Sequence, residues 1–154
     1  MNAIADEFAA SGVGSYFLYT NEAHPGEHYP QLSSMEEKHQ HARALVDVYG
    51  VTRPILIDGL GGACHRAYGT MPNMTWIFSR SGAALYKSDW THSESVRQAL
   101  IYLLDVGARR RQRVRLTPFR VEKIEYREQD PERFNEGLAR NGPRAVTEFR
   151  DAFR

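Results

Sequence analysis

Apolar residues fall along the chain in short runs whose spacing alternates between the period of a helix and that of a strand. Helical spacing predicts a first helix over residues 2–11, which Gly12 ends. Continuous apolar runs predict short buried strands over Ser15–Thr20 and Pro54–Asp58. This order of helices and strands predicts an α/β fold.

Two longer helices are predicted to begin at capping boxes, in which a Ser or Thr lies three residues before a Glu. Ser34 and Glu37 open the first, and Thr91 and Glu94 open the second. The apolar stripe of the first helix is Ala42, Leu45, Val46 and Tyr49, and Gly50 ends the helix. The segments between them predict a brief helix and a β-hairpin: Ala63–Tyr68, Met74–Phe78 and Ala83–Lys87.

The dipeptide Met71-Pro72 lies between the brief helix and the hairpin. The order helix, X-Pro, strand, turn, strand is that of the second half of a thioredoxin-like fold, where the proline is usually cis and borders the active site. A cis bond costs far less before proline than before any other residue. We therefore predict a cis bond before Pro72 and place Met71 and Pro72 in the wall of a substrate site.

Composition narrows the classes of function. The 154 residues suit one domain with a sizeable core, and a net charge of +1 predicts no nucleic-acid or membrane partner. A single cysteine predicts no internal disulfide. No apolar run is long enough to span a bilayer and no signal peptide is evident, so the expected location is cytoplasmic.

The pattern changes at Arg109, where a basic run over Arg109–Arg115 begins. We interpret this run as a solvated helix end rather than a phosphate site, because no aromatic residues are interleaved with it. Two short helices follow, over Pro131–Leu138 and Pro143–Phe153. The predicted organisation is a thioredoxin-like core over residues 1–107 and a C-terminal helical extension over 108–154, packed on the core or on a partner chain.

The segment Phe17 to Pro25 (FLYTNEAHP) resembles the strand and Glu-Ala-His loop of iodothyronine deiodinases and their bacterial deiodinase-like relatives. The resemblance continues through Ile57-Asp58-Gly59, His65 to Gly69, Pro72 to Ile77 and Tyr86-Lys87. It covers roughly residues 3–105, and the tail, with Glu125-Tyr126-Arg127 and Asn141-Gly142-Pro143, resembles the bacterial branch alone. The resemblance implies a thioredoxin-like mixed sheet flanked by helices, and implies that Glu22 and His24 relay protons to a redox centre.

The chain departs from that family at its beginning. Family members start with a strand that ends in a cysteine or selenocysteine motif, whereas Met1 falls at or inside the first helix. The chain could be a truncated form of a longer product, another segment or a partner chain could fill the strand position, or Ser15–Thr20 could pair directly with Met74–Phe78. Since an unpaired strand edge invites association, we predict a homodimer in which a strand edge or the tail over 109–154 crosses to the partner.

Glu22 and His24 are the first candidates for catalysis. They lie two residues apart after a strand, so both can face the same side, and a carboxylate beside an imidazole suits proton transfer. The alternative is a pair that fixes the loop, with Glu22 capping backbone amides. Strand ends in open α/β sheets are where ligands bind, which favours a functional role.

Cys64 is the one thiol, and it follows Gly61-Gly62 at a helix start, where amide dipoles can favour a thiolate. The alternative is a buried, inert thiol. His39 and Trp90 are further candidates for lining a substrate pocket, with Met71 and Pro72. The histidine spacing matches no metal site, so we predict neither metal nor cofactor and interpret His28 and His41 as solvent-facing.

Three functions are open at this point. The chain could be a deiodinase-like enzyme without the usual redox motif that uses Glu22 and His24 as an acid/base pair on a small organic substrate. It could be a one-cysteine thiol oxidoreductase that uses Cys64. It could also be a non-catalytic binding or assembly protein.

Overall fold

The computed structural model describes residues 1–153, which form six helices and four strands. In chain order these are α1 Asn2–Ala9, β1 Phe17–Tyr19, α2 Met35–Asp47, β2 Ile55–Ile57, α3 Ala63–Tyr68, β3 Thr75–Phe78, β4 Ala84–Ser88, α4 Ser93–Arg111, α5 Pro131–Arg140 and α6 Pro143–Ala152. The chain is therefore mixed α/β, as the sequence predicts.

The strands of the described residues form two separate two-stranded sheets. β1 and β2 run parallel in one sheet, whereas β3 and β4 form the predicted antiparallel hairpin in the other. β1 thus pairs with β2 alone. The alternative in which residues 15–20 pair directly with residues 74–78 is wrong.

The chain divides into two compact units. The first contains residues 3–13 and 73–128, and the second contains residues 14–72 and 129–153. The predicted boundary between residues 107 and 108 falls inside α4. Arg154, the last residue of the predicted extension, lies outside the described residues.

The core of the first unit joins α1 to α4. Ile4 and Phe8 of α1 are buried against Val96 and Leu100 of α4. The capping box predicted at Thr91 is wrong, because His92 is the N-cap residue of α4. The Thr91 hydroxyl instead lies 2.7 Å from the Thr75 hydroxyl and donates to the Asn73 carbonyl at 3.2 Å.

In the second unit, α2 begins at the predicted capping box. The Ser34 hydroxyl accepts a hydrogen bond from the Glu37 backbone amide at 3.2 Å, and the Glu37 carboxylate accepts one from the Ser34 amide at 3.2 Å. The predicted apolar stripe is only partly right. Ala42 is buried, but Val46 is 49% exposed, and the most buried side chain of α2 is that of Lys38.

The cis bond predicted before Pro72 is a further correction, since every peptide bond of the described residues is trans. Trans is the preferred form of an X-Pro bond unless tertiary contacts select the other. Here the Met71 carbonyl oxygen lies 3.1 Å from Nε2 of His65, a contact made with the bond in the trans form.

The tail helices α5 and α6 pack on their own chain, at the loop that follows β1. The Asn141 amide group donates to the His24 carbonyl at 2.6 Å and accepts from the Tyr29 amide at 2.7 Å. The Glu27 carboxylate accepts from the Arg144 amide at 3.0 Å. These contacts lie within one chain, so the predicted homodimer, whether through the tail or through a strand edge, stays a prediction.

We expect Asn141→Ala to lower the free energy of unfolding by about 1–3 kcal/mol, because it leaves the partly buried carbonyl of His24 and amide of Tyr29 without partners. Chemical denaturation would measure the change. Asn135→Ala in α5, at an exposed position, is the matched control and should change stability by less than about 0.5 kcal/mol. Equal stabilities of the two variants would contradict the role of Asn141.

Candidate functional site

The two parallel strands of the second unit end at a cluster of polar side chains. Tyr19, the last residue of β1, is buried, and its hydroxyl donates a hydrogen bond to Oε1 of Glu22. The same carboxylate oxygen lies 3.2 Å from Nδ1 of His41, which comes from α2. Burial, followed by the hydrogen bond and charge of Glu22, raises the pKa of the Tyr19 hydroxyl above its ordinary value.

His41 is therefore the histidine that the structure pairs with Glu22. Its side chain is 10% exposed, and the ring of Tyr29 stands edge-on to it with centroids 5.3 Å apart. The interpretation of His41 as a solvent-facing histidine is wrong. Oε1 of Glu22 makes both hydrogen bonds of the carboxylate, and no hydrogen bond within residues 1–153 occupies Oε2.

Lys38 and Asp58 form the second part of the cluster. Lys38 is 1% exposed, and its ammonium group donates to the carbonyl of Thr20 and, at 3.3 Å, to that of Gly59. These carbonyls follow directly after β1 and β2, so Lys38 joins the carboxyl ends of both strands. Burial lowers the pKa of Lys38, and the nearby charge of Asp58 opposes that shift.

Asp58 holds the start of α3. Its two carboxylate oxygens accept hydrogen bonds from the backbone amides of Cys64, at 3.1 Å, and His65, at 2.9 Å. Burial alone would raise the pKa of Asp58, but the backbone hydrogen bonds, assisted by the charge of Lys38, hold that pKa below its usual range.

A small cavity of about 60 Å³ lies at this cluster. Its lining includes two ionisable side chains, those of Glu22 and Lys38. The remaining lining residues are polar or apolar: Thr20, Asn21, Gln31, Leu32 and Leu60. A volume of this size holds a few non-hydrogen atoms, since a single water needs about 10–15 Å³ on this measure. The cavity can therefore accept the polar end of a small molecule.

His24 lies elsewhere in the second unit. Its ring stands edge-on to the rings of Phe134 and Phe149, at centroid distances of 6.1 and 5.2 Å, and its carbonyl accepts from Asn141. His24 therefore helps to seat the tail helices. The expectation that a spacing of two residues places it beside Glu22 fails because residues 20–30 form a loop, in which the side-chain alternation of a strand does not apply.

The other predicted site residues are also dispersed. His39 is exposed, with Nδ1 2.6 Å from the carbonyl of Met35, and Met71 and Pro72 are exposed as well. Trp90 belongs to the other unit, where the guanidinium of Arg127 lies 5.0 Å from its ring centroid. Within the described residues, no hydrogen bond, ion pair or ring contact joins any two of the six predicted site residues of the second unit: Glu22, His24, His39, Cys64, Met71 and Pro72.

Cys64 is a free, half-buried thiol in α3. The amide groups that were expected to favour its thiolate already bind the Asp58 carboxylate, whose negative charge counteracts them. We expect Cys64→Ser to change the free energy of unfolding by less than about 0.5 kcal/mol. Any activity of the protein should stay within about twofold of the parent. Loss of activity in a folded Cys64→Ser variant, judged by circular dichroism, would contradict this assignment and restore the thiol mechanism.

A signal for Lys38 and His41 is present in the sequence. Lys38, His41, Ala42 and Leu45 follow the spacing i, i+3, i+4, i+7, so a helix places them on one face. Two polar residues within an inward-facing stripe indicate a buried polar cluster. The partners of that cluster, Tyr19 and Asp58, are the next-to-last and the last residues of the two predicted strands.

Comparison with protein-family models finds no match for this chain, and comparisons with curated proteins and with solved structures find none either. Within the described residues, no group of three or more His, Cys, Asp or Glu side chains is placed to hold a metal ion. None of the helices over residues 1–153 is both long enough and apolar enough to cross a membrane.

Proposed function

We propose that this protein is an acid–base enzyme that acts on a small carbonyl compound at the Glu22 cavity. The observation that supports this proposal is the state of the Glu22 carboxylate. Tyr19 and His41 hold Oε1, no residue of the described range 1–153 bonds Oε2, and Glu22 lines a cavity. A base that is fixed in orientation and has one free oxygen is suited to take a proton from a bound substrate.

The proposed step is proton abstraction from carbon. Oε2 of Glu22 takes the proton next to the substrate carbonyl, and the electron pair of the broken C–H bond moves onto the carbonyl oxygen. Lys38 offers the charge that stabilises this oxygen, because it lines the cavity and two carbonyls engage only two of its three N–H donors. Return of a proton to carbon completes the exchange, and His41 holds the carboxylate in place.

We also propose that the fold is thioredoxin-like and that the chain is related to the deiodinase-like proteins. The order of elements from α1 to α4 is the one that this relationship predicts after its first strand. In this proposal the chemistry differs from thiol redox work, because Asp58 already occupies the amides next to Cys64. His41 takes the place beside Glu22 that the resemblance implied for His24.

The test measures exchange of carbon-bound hydrogen with solvent. Pyruvate, acetoacetate and acetone are incubated with the protein in deuterium oxide, and the loss of their proton signals is followed by nuclear magnetic resonance. We expect the protein to accelerate exchange in at least one compound and His41→Gln to remove the acceleration. His28→Gln, an exposed histidine of the same loop region, should behave as the parent.

Two results would count against the proposal. Exchange no faster than the buffer rate for all three compounds would contradict chemistry on small carbonyl compounds. Exchange that is accelerated equally by the parent and by His41→Gln would place the reaction away from the Glu22 cavity.

A further inference from the structure

A second concave site of the same unit lies between α2 and β2 and shares no lining residue with the Glu22 cavity. It is an open groove of about 750 Å³, within the range of small-molecule sites. Five of its lining residues are apolar side chains from the helix, the strand and the connection between them: Ala42, Val46, Val51, Ile55 and Ile57. The groove arises because the predicted stripe of α2 is only partly covered, which leaves Val46 49% exposed.

The charged groups of this groove are all of one sign. Arg43 and Arg53 line it, together with His39, and no Asp or Glu does. Neither arginine forms an ion pair with a carboxylate of residues 1–153. A groove with apolar walls and two unpaired guanidinium groups is complementary to a ligand that combines an apolar body with a negative charge.

Arg53 gives this complementarity a specific position. Its guanidinium lies 5.6 Å from the ring centroid of Phe17, and its Nε atom is buried with no hydrogen-bond partner in the described part of the chain. Burial lowers the pKa of Arg53, which means that the charged form has lost solvation that no neighbouring carboxylate replaces. A buried N–H group without a partner is costly. An anion paired with the guanidinium would replace part of the solvation that its charge has lost.

We propose that the groove binds a soluble hydrophobic carboxylate. The carboxylate pairs with the planar fork of Arg53, assisted by Arg43, and the apolar body lies against Val46, Val51 and Ile55. A free small molecule fits better than an anionic membrane surface, because the whole chain carries a net charge of only +1 and thus attracts a bilayer weakly. The proposal is independent of the chemistry at Glu22.

Decanoate is the probe, and 1-decanol and decyltrimethylammonium are its neutral and cationic counterparts. We expect decanoate to shift the amide resonances of residues 39–57 and to bind at least about tenfold more tightly than either counterpart, since hydrogen bonds to charged groups are the stronger ones. Titration calorimetry gives the dissociation constants. This comparison uses the parent protein alone, so it does not depend on the folding of any variant.

Variants then locate the carboxylate. Arg53→Met should weaken decanoate binding by roughly tenfold or more while binding of 1-decanol stays unchanged, and Arg53→Lys should restore part of the loss. Val46→Glu places a negative charge at a half-exposed position of the wall and should abolish decanoate binding. Arg110→Met, at an exposed position of α4 outside the groove, is the matched control and should bind as the parent.

Several outcomes would overturn the proposal. Equal affinity for decanoate and 1-decanol would show that charge plays no part, and shifts outside residues 39–57 would place the site elsewhere. The absence of decanoate binding would also refute it, whether the protein then binds vesicles of phosphatidylglycerol and phosphatidylcholine or remains in solution. A concentration-dependent dimer that decanoate fails to dissociate, with shifts at residues 39–57 on dilution, would assign the groove to a second copy of the chain.

Discussion

Asp58→Ala is expected to lower the free energy of unfolding by about 2–4 kcal/mol, because it leaves two backbone amides without their charged acceptor. The Asp58 side chain is buried and accepts hydrogen bonds from the amides of Cys64 and His65. Its negative charge also opposes the lowering of the Lys38 pKa that burial causes. Alanine would therefore leave the start of α3 uncapped and the buried ammonium without its countercharge.

Urea denaturation of the parent and the variant would measure this loss. Asp89→Ala is the matched control, because Asp89 is an exposed aspartate whose carboxylate lies 2.8 Å from the Lys87 ammonium. An exposed ion pair contributes about 0–1 kcal/mol, so the control should remain close to the parent. A change at Asp58 no larger than that at Asp89 would show that Lys38 and the α3 amides do not depend on this carboxylate.

The stability that Asp58 contributes should also depend on pH in a defined direction. Its pKa is lower in the folded protein than in the unfolded chain, so the unfolded chain binds the proton first as the solution is acidified. The contribution is complete above the unfolded value of about 3.9 and declines as the pH falls towards the folded value. The stability difference between the parent and Asp58→Asn should therefore shrink below about pH 4.

Much of the secondary structure could be predicted because its causes are local. The capping box of Ser34 and Glu37 depends on residues three apart, and the structure forms it as predicted. The sequence Thr91 to Glu94 has the same pattern, yet the Thr91 hydroxyl contacts Thr75, a residue from β3. The second box fails because a contact distant in sequence competes for the capping group, and no local pattern contains that contact.

The candidate site could be predicted only in part for the same reason. Glu22 was identified because it follows a strand, which is a local property. Its partner could not be found by counting two residues to His24, since the loop carries that ring towards Phe134 and Phe149. The partner is His41, nineteen positions along the chain, and only the packing of α2 on the strands brings it to Glu22.

The activity proposed for the Glu22 cavity should fall by about 10²–10⁴-fold in Glu22→Gln, the usual effect of removing a positioned acid or base. Glutamine keeps the shape of the side chain and can still accept from Tyr19, but it cannot take a proton. His41→Gln should also lower the activity, because it removes the group that holds Oε1 of Glu22 and leaves the carboxylate poorly oriented.

The double variant separates a catalytic unit from two independent structural effects. Residues that act as a unit are strongly non-additive, so Glu22→Gln combined with His41→Gln should be little slower than Glu22→Gln alone. Losses that multiply would instead mean that His41 acts away from Glu22. Tyr19→Phe removes the other bond to Oε1 and should give a smaller loss, because His41 still orients the carboxylate. The exchange rate in deuterium oxide and the unfolding midpoint are measured for each variant. A lower rate at an unchanged midpoint indicates a lost proton acceptor, whereas a lower rate with a lower midpoint indicates a destabilised fold.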